Sequence, residues 1–412
     1  MLTPELKGMG GASKASGSSS AKRMKNSIKS KIFPTETDVF WHPAMTTPPP
    51  RNYTPGFIPI LKASLAGCHS RGEIRKAVLC YDKTIYVQKE LWNASWGCGY
   101  LNFLMACAVL MVQPFEPMYF PLLDEPIPPG IRNLQQWIEI AWDAGFDPEG
   151  KEQLTKLMGT RQWIGTSDIW VALSSRGIPA ELVDFDSTKG NGVQTLVDWT
   201  VNYFTPKTKA SDTPRSAFDA LKGSNAVVST DIMPIILQHS GHSRLIVGYE
   251  TDKQGKVNLL TFDCGQKLPK PYRDYALSKF PPPPSDLKSE AGSSTLKRRA
   301  STSFGQANIP KRSRSGDGGD NDVEIVAEFN VRPEVVDDDI VITGFTSPQK
   351  TKPTPKAVPK PNITAKDLQP FRISAKALGR HKQYQILYFP MTSPLTDQER
   401  AKRKVPTSTK AS

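Results

Sequence analysis

The sequence has no apolar run long enough to cross a bilayer: the longest, residues 103–112, falls well short of the roughly 18 residues that a membrane helix needs. Its start, Met1-Leu2-Thr3-Pro4-Glu5-Leu6-Lys7, lacks the charged-then-apolar order of a secretory signal. Cysteine is scarce, five in 412 residues, and no Cys-x-x-Cys with downstream histidines occurs. That excludes a zinc finger and argues against a disulfide framework. Cys68-His69 and Cys80 bring no fourth ligand at metal-site spacing. The expectation is a soluble, intracellular chain with no metal and no cofactor. No internal repeat is visible.

The charge is unevenly spread. Residues 52–280 carry 23 Lys and Arg against 23 Asp and Glu, so the whole excess of +13 lies in the flanks. A basic chain usually suggests nucleic acid as a partner, but a neutral middle gives no basic folded face, and none is expected for the folded domain. Residues 1–51, rich in Ser, Gly and Lys, read as a disordered basic tail, because such a composition buries too little apolar area to offset chain entropy. Residues 281–367, opening on four prolines, read as a disordered insertion. Gln383-Tyr384-Gln385-Ile386-Leu387-Tyr388-Phe389 is a strand signal. Residues 368–392 are therefore expected to return to the domain of residues 52–280, with 393–412 as a basic C-terminal tail.

Within that domain, Trp92-Asn93-Ala94-Ser95-Trp96-Gly97-Cys98-Gly99-Tyr100 runs into an apolar stretch to residue 112. Glycines on both sides of Cys98 allow a tight turn and close backbone approach at the start of a buried helix. A helix N-terminus stabilises a thiolate, so Cys98 is placed for reactivity; a small hydrophobe in a core is the other use of such a residue. Helical patterns follow at 134–144, 169–175 and 193–204, with strand patterns at 77–81, 85–87, 180–185 and 226–229. Residues 57–65 read as a short amphipathic helix. Helices and strands mix without a regular βαβ alternation, which makes the fold class α+β.

A second informative stretch is Leu237-Gln238-His239-Ser240-Gly241-His242-Ser243-Arg244, which continues into two apolar strands around Gly255 that read as a β-hairpin. With the turn centred near Lys253, His242 falls within cross-strand reach of Asp263, although a slip of one residue would send the two to opposite faces. A cysteine nucleophile needs a base to form its thiolate and an acid to protonate the leaving amine. One histidine held by a carboxylate serves both needs. Cys98, His242 and Asp263 fit these roles, with His239 as a decoy. Gln238 is a candidate donor to the oxyanion.

Trp96-Gly97-Cys98-Gly99-Tyr100, Trp163-Ile164-Gly165-Thr166 and Leu237-Gln238-His239-Ser240-Gly241-His242-Ser243-Arg244 resemble the zinc-finger-containing ubiquitin peptidase family, papain-like cysteine deubiquitinases related to UFM-type modifier proteases. The resemblance implies a papain-like fold in which a central helix carries the nucleophile and packs on an antiparallel sheet. It also implies Cys98 as nucleophile, His242 as base and acid, Asp263 as orienting carboxylate, Gln238 as oxyanion donor, and ubiquitin or polyubiquitin as substrate. UFM-type proteases place Asp-Pro just before the catalytic histidine; here Ser240-Gly241 stand there and the acid follows 21 residues later. That favours the ubiquitin-directed branch, with another modifier as the alternative, or an inactive ubiquitin- or SUMO-binding scaffold. Leu101 stands where the family usually has arginine, and Cys264-Gly265 where Pro-Ser is usual. Trp96, Gly97 and Gly241 are expected to flank a Gly-Gly substrate tail, because glycine leaves its backbone accessible.

Two signals fall in the insertion. Lys297-Arg298-Arg299 and Lys311-Arg312-Ser313-Arg314 form a two-part basic arrangement suited to a nuclear import receptor, so nucleus and cytoplasm are the expected location. Val323-Glu324-Ile325-Val326 and Ile340-Val341-Ile342 resemble SUMO-interacting segments, which add a strand to a partner's sheet edge.

Overall fold

A computed structural model describes residues 38–205, 226–280, 358, 361 and 364–411. The basic clusters at 297–299 and 311–314 and the apolar runs at 323–326 and 340–342 lie outside the described residues. In chain order the main elements are β1 (Tyr53–Thr54), α1 (Phe57–Ser70), β2 (Ile74–Leu79), β3 (Tyr86–Val87), α2 (Cys98–Leu110), α3 (Ile131–Asp143), α4 (Thr166–Ser175), β4 (Glu181–Asp186) and α5 (Val193–Phe204). Then come β5 (Val227–Ser229), β6 (Ile235–His239), β7 (His242–Asp252), β8 (Val257–Phe262), α6 (Lys270–Ser278), β9 (Arg372–Ser374), β10 (Gln383–Tyr388), α7 (Asp397–Lys402) and β11 (Ser408–Lys410).

Helix α2 has no polar face, and every residue from Gly99 to Leu110 is buried. A helix apolar all round must be covered on all sides. It lies against β7, with α3 and α4 beside it. Helix α3 buries Leu134, Trp137, Ile138, Ala141 and Trp142, an i, i+3, i+4, i+7, i+8 stripe, and Trp137 meets Phe103 of α2 edge-on at 5.9 Å. Helix α1 buries Phe57, Ile58, Ile60, Leu61 and Leu65 and is a core helix of the same body.

The class is α+β, and the sheet is mixed where an antiparallel one was expected. β7 is its longest strand. Along one edge it pairs with β6 over its first half and β2 over its second, and along the other edge with β8. β9 extends β8, while β10 and β4 continue from β6, all antiparallel. The edge pairings β2–β5 and β11–β4 are parallel.

Two stretches read as tails contain structure. Trp41 is buried against Tyr53 and Phe280, and the Asp38 carboxylate accepts from the N–H groups of Ile131 (2.7 Å) and Arg132 (2.8 Å) at the start of α3. Near the C-terminus, Arg400 donates to the carbonyl of Ser175, and Arg403 donates to that of Ala180 at 2.8 Å. The basic residues that suggested a tail satisfy carbonyls at and beyond the end of α4, where a cation also complements the helix dipole. Past the insertion, Arg372 makes a two-pronged pair with the buried Glu250, Nε to Oε1 at 2.7 Å and Nη2 to Oε2 at 2.9 Å. Removing one partner of such a pair costs about 3–5 kcal/mol.

Candidate active site

Cys98 is the first residue of α2, and the turn before it is built on Asn93. The Asn93 side-chain oxygen accepts from Glu90 N–H at 2.8 Å, and its carbonyl accepts from the N–H groups of Trp96 (3.3 Å) and Gly97 (2.8 Å). Trp96 is wedged edge-on between Trp92 and Tyr100, with centroids at 5.7 and 5.4 Å. A Cβ on Gly97 would lie 2.8 Å from the Asn93 carbonyl oxygen, and one on Gly99 would lie 2.4 Å from that of Ile164. These glycines answer a demand for space; neither has a positive φ. The result is a thiol at a helix N-terminus, where the dipole favours its charged form.

The partners of Cys98 come from two consecutive hairpins. β6 and β7 are joined by the two-residue turn Ser240-Gly241, in which Gly241 takes φ 85°, a conformation open to glycine at no steric cost. Trp96, Gly97 and Gly241, expected to flank substrate, have packing and turn roles as well. In the second hairpin the β7–β8 register slips by one residue between Ile246 and Gly248. Without the slip, Asp263 would lie on the face opposite His242 and Arg244, since side chains alternate. With it, all three share a face. His242 Nε2 lies 2.9 Å from Asp263 Oδ2, Arg244 Nε donates to the same oxygen at 2.7 Å, and Gly265 N–H donates to Oδ1 at 2.9 Å.

The charges follow from these contacts. Burial works to raise the Asp263 carboxyl, but hydrogen bonds from His242 and Arg244 outweigh it and hold the group well below the usual carboxylate range. His242 is raised to about 9 by its hydrogen bonds to Asp263 and then Cys98, against burial. The Cys98 thiol, which burial alone would raise, is brought below its ordinary value by hydrogen bonds from His242 and from the side chain and backbone of Ser243. Each partner favours the charged form of the other. His239 differs: it stacks on His381 at 3.7 Å, and burial lowers it, so it stays neutral.

Ser243, Arg244, Asn102 and Thr166 join the site without a signal of their own in the sequence. Asn102, one turn along α2 from the thiol, donates to Ser243 Oγ at 2.9 Å and so steadies a donor to Cys98. Thr166 N–H donates to Gln238 Oε1 at 2.5 Å. Gln238, His239 and Ser240 also line a cleft of about 560 Å³ with Asp184 and Gln385. A larger hollow of about 620 Å³, between α1 and α6, shares no residue with this group. Chemistry rather than size marks the site. Among the described residues no group of His, Cys, Asp and Glu could hold a metal ion.

A thiol at a helix N-terminus, paired with an imidazole that a carboxylate holds in turn, defines a cysteine peptidase type of site. The chain belongs to peptidase family C78, whose model matches residues 72–280. It is 37% identical over 176 residues to "Zinc finger-containing ubiquitin peptidase 1" of Mus musculus, and 34% identical over 183 residues to that of Homo sapiens. These matches cover 42% and 44% of this chain but only 28% and 29% of the relatives' own length. A third relative, "Ubiquitin carboxyl-terminal hydrolase mug105" of Schizosaccharomyces pombe, is 28% identical over 38% of this chain and 56% of its own.

Proposed function

We propose that this chain is a papain-like cysteine deubiquitinase, hydrolysing the isopeptide bond after the C-terminal Gly-Gly of ubiquitin. The observation that carries the reading is the hydrogen-bonded series Cys98, His242, Asp263, in which the thiol is lowered and the imidazole raised. In this reading the Cys98 thiolate attacks the glycine carbonyl, and the negative charge moves to the carbonyl oxygen. Backbone N–H of Cys98 and the Gln238 amide stabilise that charge. Collapse breaks the C–N bond as imidazolium His242 gives its proton to the leaving lysine amine. His242, now neutral, takes a proton from water, which attacks the thioester and returns the thiolate. Asp263 keeps the ring oriented and stabilises its charged form throughout.

The choice of ubiquitin is supported by what the relatives' names say of them. It is tested by reacting the purified chain with electrophile-tipped ubiquitin, SUMO and UFM-type probes. A ubiquitin adduct that disappears in Cys98→Ala is the expected result. An adduct with another modifier alone would move the specificity, and no adduct with any probe from a folded chain would overturn the enzyme reading.

A further inference from the structure

Four strands carry a polar row that ends at the thiol. Asp184 of β4 lies in register with Gln385 of β10, Gln385 with Gln238 of β6, and Gln238 with Ser243 of β7. Directly opposed residues share a face of the sheet, so all four side chains project to one side. Ser243 hydrogen-bonds Cys98, and Thr166, the first residue of α4, sits against the middle of the row.

The polarity of this row is set from its far end. A carboxylate only accepts, so Asp184 Oδ1 requires the amide nitrogen of Gln385, which donates to it at 2.7 Å. The other Asp184 oxygen is taken by the hydroxyl of Ser408 in β11. The Gln385 oxygen is thereby turned toward Thr166, whose hydroxyl lies 2.5 Å away. Thr166 N–H, an obligate donor, in turn requires the oxygen of Gln238 at 2.5 Å, with the Thr166 hydroxyl 3.0 Å from the same atom. Gly165, the residue before α4, leaves room for this: a Cβ there would lie 2.8 Å from Gln238 Nε2. Gln238 caps α4 from the sheet, supplying the oxygen that Gly165 lacks. Its only remaining donor is Nε2.

We propose that Thr166, backed by Gln385 and Asp184, is a positioning residue that fixes which end of the Gln238 amide faces the reacting carbonyl. This rests on the reading of Gln238 as the oxyanion donor. A freely turning amide would present oxygen as readily as nitrogen, and an oxygen there would repel the charge that must be stabilised. A strand beyond the insertion, β10, thus acts on catalysis through Thr166 and Gln238.

The test uses the full chain and ubiquitin cleavage. Thr166→Pro suits the backbone at the first helical position after the extended Gly165, but it removes the N–H that holds Gln238 Oε1 and puts a ring carbon in its place, so the amide must turn away. We expect kcat to fall about tenfold or more, toward the 10²-fold or greater loss typical of a missing oxyanion donor. KM should stay within about twofold, as befits a group acting only in the transition state. In a Gln238→Ala background the proline should add nothing. Gln238→Glu gives a second reading that needs no change in α4, since its carboxylate still accepts from Thr166 N–H but cannot donate. It should melt like the parent and turn over more slowly than Gln238→Ala, because its second oxygen faces the developing charge, whereas Gln238→Ala should also melt lower. Normal kcat in a folded Thr166→Pro, or unchanged melting in Gln238→Ala, overturns the positioning role. Normal kcat in Gln238→Ala overturns the oxyanion reading itself, and the positioning role with it.

Discussion

Cys98 and Cys107 belong to one helix, nine residues apart, and the fold treats them oppositely. Cys107 is enclosed by the core, and burial raises its thiol far above the ordinary value. Cys98 feels burial too, but His242 and Ser243 donate to it and its value falls. Cys264 sharpens the contrast. Adjacent in sequence to Asp263, it is pushed up to about 12 by burial and then by the Asp263 charge. Nearness to the site is therefore not what makes a thiol reactive. Hydrogen-bond donors aimed at the sulfur at a helix start do so, and they must outweigh desolvation to succeed.

The largest expected break in this contrast is Asp263→Asn, which removes the negative charge that stabilises imidazolium His242 and so weakens the support that keeps Cys98 unlike Cys107. Turnover should fall about 10²–10⁴-fold. The pH profile gives a separate sign. In the proposed mechanism the reactive pair is thiolate and imidazolium, so the rate should rise as Cys98 ionises below its ordinary value and fall as His242 loses its proton near 9. In Asp263→Asn that alkaline limb should move down toward 6.5, the ordinary histidine value. An unmoved limb would assign the role of Asp263 elsewhere.

A smaller effect is expected from Gly99→Ala. Ala106 and Ala108 sit in the same helix fully buried without difficulty, but at Gly99 the added carbon meets the Ile164 carbonyl oxygen at 2.4 Å. Backbone must yield, at a cost of about 1–3 kcal/mol in chemical denaturation. A variant as stable as the parent would show that the loop ending at Gly165 is not pressed against the start of α2.

Much of this site was legible locally. The two glycines, the apolar run after them and the alternating strands around Gly255 identified the cysteine helix and the hairpin, because those signals lie within a few residues of what they determine. The one-residue slip after Ile246 was not legible: a β-bulge leaves no reliable mark in composition, yet it decides which face Asp263 occupies. The turn role of Gly241 was not legible, because a two-residue hairpin and an open glycine share the same residue type. Strand β10 was visible as a strand, but its place between β4 and β6 depends on pairing across more than a hundred residues. β11 is polar and exposed, held by parallel pairing to β4, so nothing in its side chains announces it. Asp184, Gln385 and Gln238 are unremarkable singly; only their register makes a row.

The central claim is that one cysteine of five is poised as a thiolate. The most direct measurement is the rate of iodoacetamide alkylation at each cysteine across pH, read by mass spectrometry on the native chain. Cys98 should react with a midpoint clearly below its ordinary value of 9. Cys68, Cys80, Cys107 and Cys264, all buried and all raised, should stay unmodified over that range. A Cys98 midpoint at or above 9, or faster reaction at any of the other four, would contradict the account.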